Sequence, residues 1–254
     1  KAVLSAGIGR LSHRFYDALI VAPVDRDRLT LRLAQVRAAY ERNTLNDPSA
    51  PTAGMRLRAG VLGVYGNDTY FPENDRARAV DGNDRWWVQG EFEFDRYWQL
   101  AKRFYFGVTS TTVASSQKAF DTYAATEGML PSFRPTPSSY GYFNTRFRSS
   151  QFTTLGIVPV WNPFGMFQLR AGLYCFMPWR EVRPSLQPVG GMPVVGVEYG
   201  EWFRNPRFIG EIKAAYSLPF AQLSAYANYS DSPGNRWNFG LSFGLFFLAP
   251  RFMY

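Results

Sequence analysis

The sequence of 254 residues predicts an all-β fold, namely an antiparallel transmembrane β-barrel of about ten strands that forms a single domain over residues 1–254. Three observations predict it. The C-terminal segment alternates strictly between large apolar and small polar residues, no apolar run is long enough for a membrane helix, and strand-like segments are joined by connections of alternating length. The elements follow from these observations in chain order.

The ten predicted strands are separated by turn-like or polar sequence. The loop 24–27 follows the first strand, the Asp-Pro-Ser turn at 46–51 follows the second, the polar loop 67–84 follows the third, and residues 116–139 follow the fifth. The strands are predicted at 2–15, 28–44, 55–66, 86–98, 103–115, 140–161, 166–182, 205–217, 222–230 and 235–247.

The connections predict an orientation. Short links near Leu100, Pro163 and Pro219 fall at one end of the strands, and the long loops 67–85, 116–139 and 183–204 fall at the other. In outer-membrane barrels the short turns are periplasmic and the long loops are external. We therefore expect both chain ends on the periplasmic side.

Alternation is clearest at residues 237–247. Six large apolar residues from Trp237 to Phe247 share one face, and Asn238, Gly240, Ser242 and Gly244 share the other. An aromatic face opposite small polar residues is typical of a strand with lipid outside and a polar lumen inside. The side chains expected to face lipid are Trp237, Phe239, Leu241, Phe243, Phe208, Ile212, Phe92, Phe94, Phe104 and Phe106. Those expected to face inward are Asn238, Ser242, Glu211, Lys213, Glu91 and Glu93.

Composition excludes several other classes. A membrane helix needs roughly 20 consecutive apolar residues, and the sequence, whose mean hydropathy is −0.23, contains no uncharged apolar run of that length. The net charge is +8, but the 28 lysines and arginines are scattered along the chain, so we expect no nucleic-acid partner. Cys175 is the only cysteine, which excludes an internal disulfide. No signal peptide is visible at Lys1, and we expect either a mature chain or part of a longer one.

Charged residues on the predicted inward faces suggest a network. Glu91, Glu93 and Asp95 alternate along one strand, and the neighbouring strands would place Arg56, Arg58 and Arg103 inward. Like charges on one face repel unless cations lie opposite. We predict that these six residues form a lumenal charge network that helps to fill the barrel. The alternative is a water-filled channel in which the charges are merely solvated.

We expect no catalytic, metal or cofactor site in this chain. Residues 240–244 match the G-x-S-x-G pattern of serine hydrolases, but that motif requires a sharp turn between a strand and a helix. Here Ser242 lies in the middle of a predicted strand. His13 is the only histidine and is far from Ser242 in the sequence.

Several short motifs resemble a known family. Glu41-Arg42-Asn43-Thr44-Leu45-Asn46 followed by Pro51-Thr52-Ala53-Gly54 resembles the E-x-N-T-L-[ND]…P-[TS]-x-G turn of the outer-membrane assembly and surface-antigen superfamily. Phe133 to Ser139, Phe147-Arg148-Ser149 and Arg236 to Gly240 resemble the C-terminal outer-membrane β-barrel domain of Bacteroidetes-type patatin-like phospholipases. The resemblance runs from about residue 28 to the end, and implies a location in the outer membrane of a Gram-negative bacterium.

The resemblance also implies what is missing. The superfamily's V-R-G-[FY] motif, which marks the insertase branch, does not occur in this sequence, and neither does the catalytic patatin domain. Barrels of the superfamily have about sixteen strands, so the chain resembles the C-terminal part of one. The resemblance therefore implies a membrane anchor or translocation scaffold. The alternatives are a passive pore, a structural subunit of an outer-membrane complex, or the barrel of a parent lipid acyl hydrolase.

The last strand resembles the C-terminal signal that the barrel-assembly machinery reads. The matching residues are Asn238, Gly240, Phe243 and Leu245. The partners implied are outer-membrane lipid, the barrel-assembly machinery during insertion and other outer-membrane subunits.

Overall fold

A computed structural model of the chain describes residues 1–15, 27–47, 50–71, 84–120, 123–136, 139, 145–189, 192–218, 221–231 and 236–245. Strands dominate these residues. They are β1 (Ala2–Phe15), β2 (Asp27–Asn43), β3 (Gly54–Phe71), β4 (Asp84–Ala101), β5 (Phe104–Ser115), β6 (Gln151–Phe164), β7 (Phe167–Pro178), β8 (Arg180–Val189), β9 (Met192–Trp202), β10 (Arg207–Ser217), β11 (Ala221–Ser230) and β12 (Trp237–Leu245). A helix, α1 (Tyr123–Met129), and a 3₁₀ turn, Thr145–Phe147, lie between β5 and β6.

Ten of the strands form one antiparallel sheet in the order β1-β2-β3-β4-β5-β6-β7-β10-β11-β12. The prediction of an all-β, antiparallel fold with about ten strands is therefore confirmed. Strands β1 and β12 are the two edges of this sheet, and they are not paired with each other among the described residues. The remaining strands, β8 and β9, pair with one another and, within the described part of the chain, with no other strand.

The sequence-based boundaries fail between β5 and β10. The region 183–204 was predicted as a loop but contains most of the β8–β9 hairpin. Its central Pro-Val-Gly-Gly sequence is typical of a turn, and this turn composition led to the prediction of a loop over the whole region. The predicted strand 140–161 begins only at Gln151, after the 3₁₀ turn, and its residues 140–144 lie outside the described part of the chain. The predicted loop 116–139 includes α1.

The connections alternate in length as the sequence predicts. Residues 102–103 join β4 to β5, and residues 165–166 join β6 to β7, at one rim of the sheet, which we call the short-turn rim. The segment 116–150 and the β8–β9 hairpin leave from the opposite rim, which we call the long-loop rim. The first residue of β1 and the last of β12 both lie at the short-turn rim, since Ala2 pairs with Tyr40 and Leu245 with Ala221.

The β2–β3 turn at the short-turn rim depends on side-chain hydrogen bonds of Asn46 and on the backbone conformation of Gly54. The Asn46 Oδ1 atom accepts hydrogen bonds from the backbone N–H groups of Thr52 and Ala53, both at 3.0 Å. Gly54 has a φ of 95°, and a Cβ there would overlap the backbone carbonyl of Thr44. Only glycine adopts this conformation at low cost. The Asn-Thr-Leu-Asn and Pro-Thr-Ala-Gly sequences thus build a capped turn.

This turn also crosses the inner face of the sheet. The Arg170 Nη1 atom on β7 donates to the backbone carbonyl of Pro51 at 2.9 Å, although three strands separate β3 from β7 in the sheet. Gln168, also on β7, donates to the carbonyl of Ala50. The sheet must therefore be strongly curved, with its polar side on the inside.

The core lies on that inner side and is divided into two clusters. In the first, Phe133 and Phe147 of the segment 116–150 pack on side chains of β4 to β7 and β10, including Phe152 and Phe176. In the second, Phe120 and Ala125 pack on Leu29, Leu31, Val64 and Trp87 of β2 to β4. The described residues of the segment 116–150 thus pack inside the curved sheet. No helix in the described residues is both long and apolar enough to cross a membrane.

Candidate functional site on the two faces of the sheet

A row of charged side chains crosses the inner face between β3 and β4. The strand register places Arg56 opposite Asp95 and Arg58 opposite Glu93. Arg56 Nη2 lies 2.7 Å from Asp95 Oδ2 and 3.7 Å from Glu93 Oε2, and Arg58 Nη1 lies 3.7 Å from Glu93 Oε1. Four of the six residues predicted to form a lumenal charge network are therefore in contact.

Glu91, the third acid of the row, pairs with a residue that the sequence did not single out. Arg37 Nη2 on β2 lies 2.7 Å from Glu91 Oε2 on β4, so this pair spans the intervening strand β3. Gly60 faces Glu91 across the β3–β4 pair and has no side chain to block the inner face. Period-two alternation places Arg37 on the inward face of β2, and this pattern could have identified it from the sequence.

Arg103 does not join this network. It lies in the two-residue turn between β4 and β5, is exposed, and has a φ of 66°. Strand β5 begins one residue later than predicted, so Arg103 has no inward strand position. Thr109, the residue opposite Asp95, is six positions further along, which is about 20 Å in a strand. The prediction for Arg103 is therefore wrong.

The network forms one wall of an internal cavity of about 420 Å³. Arg170, Glu211 and Lys213 of β7 and β10 line the opposite wall, and residues 131–136 of the segment 116–150 cover it. Thr136 donates to Glu211 Oε2 at 2.7 Å. The inward positions predicted for Glu91, Glu93, Glu211 and Lys213 agree with this lining. The inside of the sheet is thus partly packed and partly a polar chamber.

Arg85 fastens the beginning of the segment 116–150 to the sheet. Its guanidinium group forms an ion pair with the buried Asp68, donates to the carbonyl of Ala119 at 2.9 Å, and lies 4.8 Å from the ring centroid of Phe120. A planar guanidinium can make all three contacts at once because its donors point in fixed directions and its face is free to stack. The segment is therefore held by specific polar contacts as well as by apolar packing.

Further contacts hold the middle and the end of the segment. Arg148 donates to the carbonyls of Glu127 at 3.1 Å and Gly128 at 3.0 Å, which satisfies acceptors at the C-terminal end of α1. Arg207 at the start of β10 donates to the carbonyl of Arg146. Burial, together with a hydrogen bond to Glu127, raises the pKa of Tyr123 in α1, so this hydroxyl stays a donor across the physiological range.

Three inward tyrosines lie over glycines on the adjacent strand. The pairs are Tyr97 with Gly107, Tyr174 with Gly156, and Tyr226 with Gly240, and in each the two residues are direct partners in the register. A Cβ on any of these glycines would overlap the tyrosine ring. The glycines therefore make room for rings that lie flat along the inner face.

The outer face carries large apolar side chains with high exposure. Among the residues predicted to face lipid, the exposed fraction is 71% for Phe239, 80% for Leu241, 63% for Phe243 and 57% for Ile212. Trp237, Phe208, Phe92 and Phe104 are also exposed, whereas Phe94 and Phe106 are partly covered. Monomeric soluble proteins rarely show so extended an apolar surface.

Aromatic residues mark both margins of the outer face. Trp86 lies at the long-loop rim and Trp98 near the short-turn rim, and both are outward on β4. The Trp179 indole at the long-loop rim donates to Thr153, an outward residue of β6, at 3.0 Å, and packs on Phe203. Trp161 is exposed on the outer face near the opposite rim.

The residues of the predicted assembly signal all lie on β12, at the edge of the sheet. Asn238 and Gly240 belong to its inner face, and Phe243 and Leu245 to its outer face; the side chain of Leu245 lies outside the described part. Ser242 is exposed on the inner face in the middle of this strand, not on a turn.

No family model matches the chain, and neither curated proteins nor solved structures include a match.

Proposed function

We propose that this chain is an outer-membrane β-barrel that acts as a membrane anchor or translocation scaffold, of the kind found beside patatin-like phospholipase domains. The observation that supports this most is the division of one ten-stranded sheet into two chemical faces. Its outer face is apolar and exposed, while its inner face holds charges, hydroxyls and a packed segment. This is the division required by lipid on one side and a polar interior on the other.

The spacing of the aromatic margins supports the same proposal. Trp86 and Trp98 are twelve residues apart on β4, which is about 40 Å along a strand. A strand tilted by about 45° would then span about 28 Å along the membrane normal, close to the roughly 25 Å apolar band of outer-membrane barrels. Tryptophan is favoured at both membrane interfaces.

In this proposal the edges β1 and β12 are closed by strand pairing within the membrane. An unpaired edge would leave a row of backbone N–H and C=O groups without partners in lipid, at several kcal/mol for each group. Assembly would use the barrel-assembly machinery and the residues Asn238, Gly240, Phe243 and Leu245.

An anchor or scaffold is favoured over a passive pore by the filled interior. The segment 116–150 contributes buried Phe120, Phe133 and Phe147 to two clusters inside the sheet, and ion pairs line the remaining chamber. A wide aqueous channel would instead leave the inner wall solvated.

Reconstitution tests the proposal. The purified chain, refolded from detergent into liposomes, should float with the vesicles, resist extraction by alkaline carbonate, and migrate faster on a gel before boiling than after it. Planar-bilayer recordings should show little steady conductance. A chain that stays monomeric and soluble without detergent would refute the membrane assignment, and large steady conductance would favour a pore.

A further inference from the structure

A block of four arginines lies on the outer face at the long-loop rim. In the β1–β2 pair, Arg10 is the direct partner of Arg32 and Arg14 is the direct partner of Arg28. The residues of each pair lie on the same face of the sheet, the face that carries Ile8 and Val36, because all these positions are related by period two. Arg10, Arg14 and Arg32 are exposed.

Like charges placed directly opposite each other on a sheet are unfavourable. No ion pair among the described residues includes Arg10, Arg14 or Arg32. Asp84 lies on the same face but two strands away from Arg32, about 10 Å by strand spacing. Its carboxylate accepts a hydrogen bond from Asn67, which lies between them. The repulsion between Arg10 and Arg32 would be relieved by an external anion.

An apolar groove begins next to the arginines on the same strands. The row after Arg10 and Arg32 contains Ile8, Ala34, Tyr65 and Trp86, and the next contains Ala6, Val36, Gly63 and Val88. A second apolar depression lies over the next rows toward the short-turn rim and is lined by Ala38, Val61, Gly90 and Phe92. We call the two depressions together the groove, which small residues line alongside the large rings of Tyr65, Trp86 and Phe92.

We propose that this surface binds one phosphate-bearing lipid of the outer leaflet, with a phosphate between the arginines and an acyl chain in the groove. Guanidinium groups bind phosphate oxygens in pairs through directed hydrogen bonds, and do so most strongly where water is partly excluded. The relative positions of the arginines and the groove fit a lipid, because the arginines lie at the rim and the groove extends from there toward the middle of the apolar face. The proposal rests on the proposed function and on the expected orientation of the barrel, in which the long loops lie at the outer surface.

Binding of lipid A to the detergent-solubilised chain, measured by native mass spectrometry, tests this site. The unaltered chain should retain lipid A at least tenfold more tightly than phosphatidylcholine, and the double variant Arg10→Gln/Arg32→Gln should lose that preference. Arg42→Gln is the matched control, because Arg42 is exposed on the same face of β2 at the opposite rim. It should bind lipid A like the unaltered chain.

A second variant tests the groove separately. A Cβ at Gly63 would lie 4.0 Å from the carbonyl oxygen of Val36, which is an ordinary contact, so Gly63→Leu should fold and obstruct the groove. It should weaken lipid A binding while leaving binding of inorganic phosphate unchanged.

Equal binding of lipid A and phosphatidylcholine, or unchanged lipid A binding by the double arginine variant, would overturn the proposal. Unchanged lipid A binding by Gly63→Leu, with competition by inorganic phosphate, would show a free-anion site instead of a lipid site. The membrane assignment is judged separately by vesicle flotation of the unaltered chain, so a chain that floats but lacks lipid selectivity refutes only this inference.

Discussion

Tyr174 on β7 lies directly opposite Gly156 on β6, and its ring occupies the space where a side chain at position 156 would be. The same ring also covers Gly172 on its own strand. Two glycines, which are unfavourable in strand interiors, are thus explained by one buried tyrosine.

We expect Gly156→Ala to destabilise the chain, because the added methyl group must displace both the Tyr174 ring and the Thr109 hydroxyl, each of which it would overlap. Overpacking of this kind costs about 1–3 kcal/mol. Gly210→Ala on β10 is the control, since a Cβ there would meet its nearest neighbour, the Tyr229 Cβ, at 3.9 Å. The midpoint of thermal unfolding in detergent checks both variants, and equal midpoints would show that the ring moves without cost.

Phe243→Arg should destabilise the membrane-inserted chain far more than Ser242→Arg. Phe243 is outward, six residues from Trp237 at the long-loop rim and two residues from Leu245 at the short-turn rim, so it lies in the part of the apolar band nearer the short-turn rim. An arginine on the lipid face costs up to about 2–4 kcal/mol at the bilayer midplane and less toward the interfaces. Ser242 is on the inner face of the same strand and serves as the control. Unfolding by guanidinium chloride in liposomes measures the difference, and similar losses for the two variants would contradict the facing of β12.

Removal of Arg56 should lower stability because Asp95, which is mostly covered, would lose its 2.7 Å ion pair. An unpaired, partly buried carboxylate costs about 1–3 kcal/mol. The double variant Arg56→Ala/Asp95→Asn should recover part of the loss, as expected when both charges are removed. Arg103→Ala, in the exposed turn, should change the unfolding midpoint little. If the charges in the chamber were freely solvated, Arg56→Ala would leave the unfolding midpoint unchanged, and the double variant would show no coupling energy between Arg56 and Asp95.

Phe133→Ala should loosen the segment inside the sheet. The Phe133 ring packs on Phe152, Tyr174 and Phe176 with centroid distances of 6.0–6.3 Å, and truncation of a buried phenylalanine typically costs about 3–5 kcal/mol. Planar-bilayer recordings should then show intermittent conductance that the unaltered chain lacks. Stable folding with unchanged conductance would indicate that other contacts, such as those of Arg85, hold the segment alone.

Period-two alternation was enough to predict the number of sheet strands and the side chains on each face. It succeeds because a residue's face in a strand depends only on its position along that strand. Opposite partners such as Arg58 and Glu93 could be anticipated because neighbouring strands are also neighbours in the sequence.

Contacts that skip a strand or depend on a long connection could not be predicted in this way. Arg37 reaches Glu91 across β3, which no pairwise strand pattern encodes. The packing of the segment 116–150 inside the sheet depends on contacts such as Thr136 to Glu211, 75 residues apart. The β8–β9 hairpin was missed because its centre has turn composition, and Arg103 because the strand begins one residue after it.

The hydrogen bond from Arg170 to the Pro51 carbonyl has a consequence for the order in which the chain is built. Its two ends are 119 residues apart, so closing this contact carries the entropic cost of a long loop unless intermediate strands are already paired. The β2–β3 hairpin can form early from its own capped turn, but it gains this partner only after β7 has joined the sheet. We therefore expect the curvature of the sheet to be fixed late in folding. A chain truncated before Phe167 should retain the β2–β3 hairpin but lack the contact that bends it toward β7.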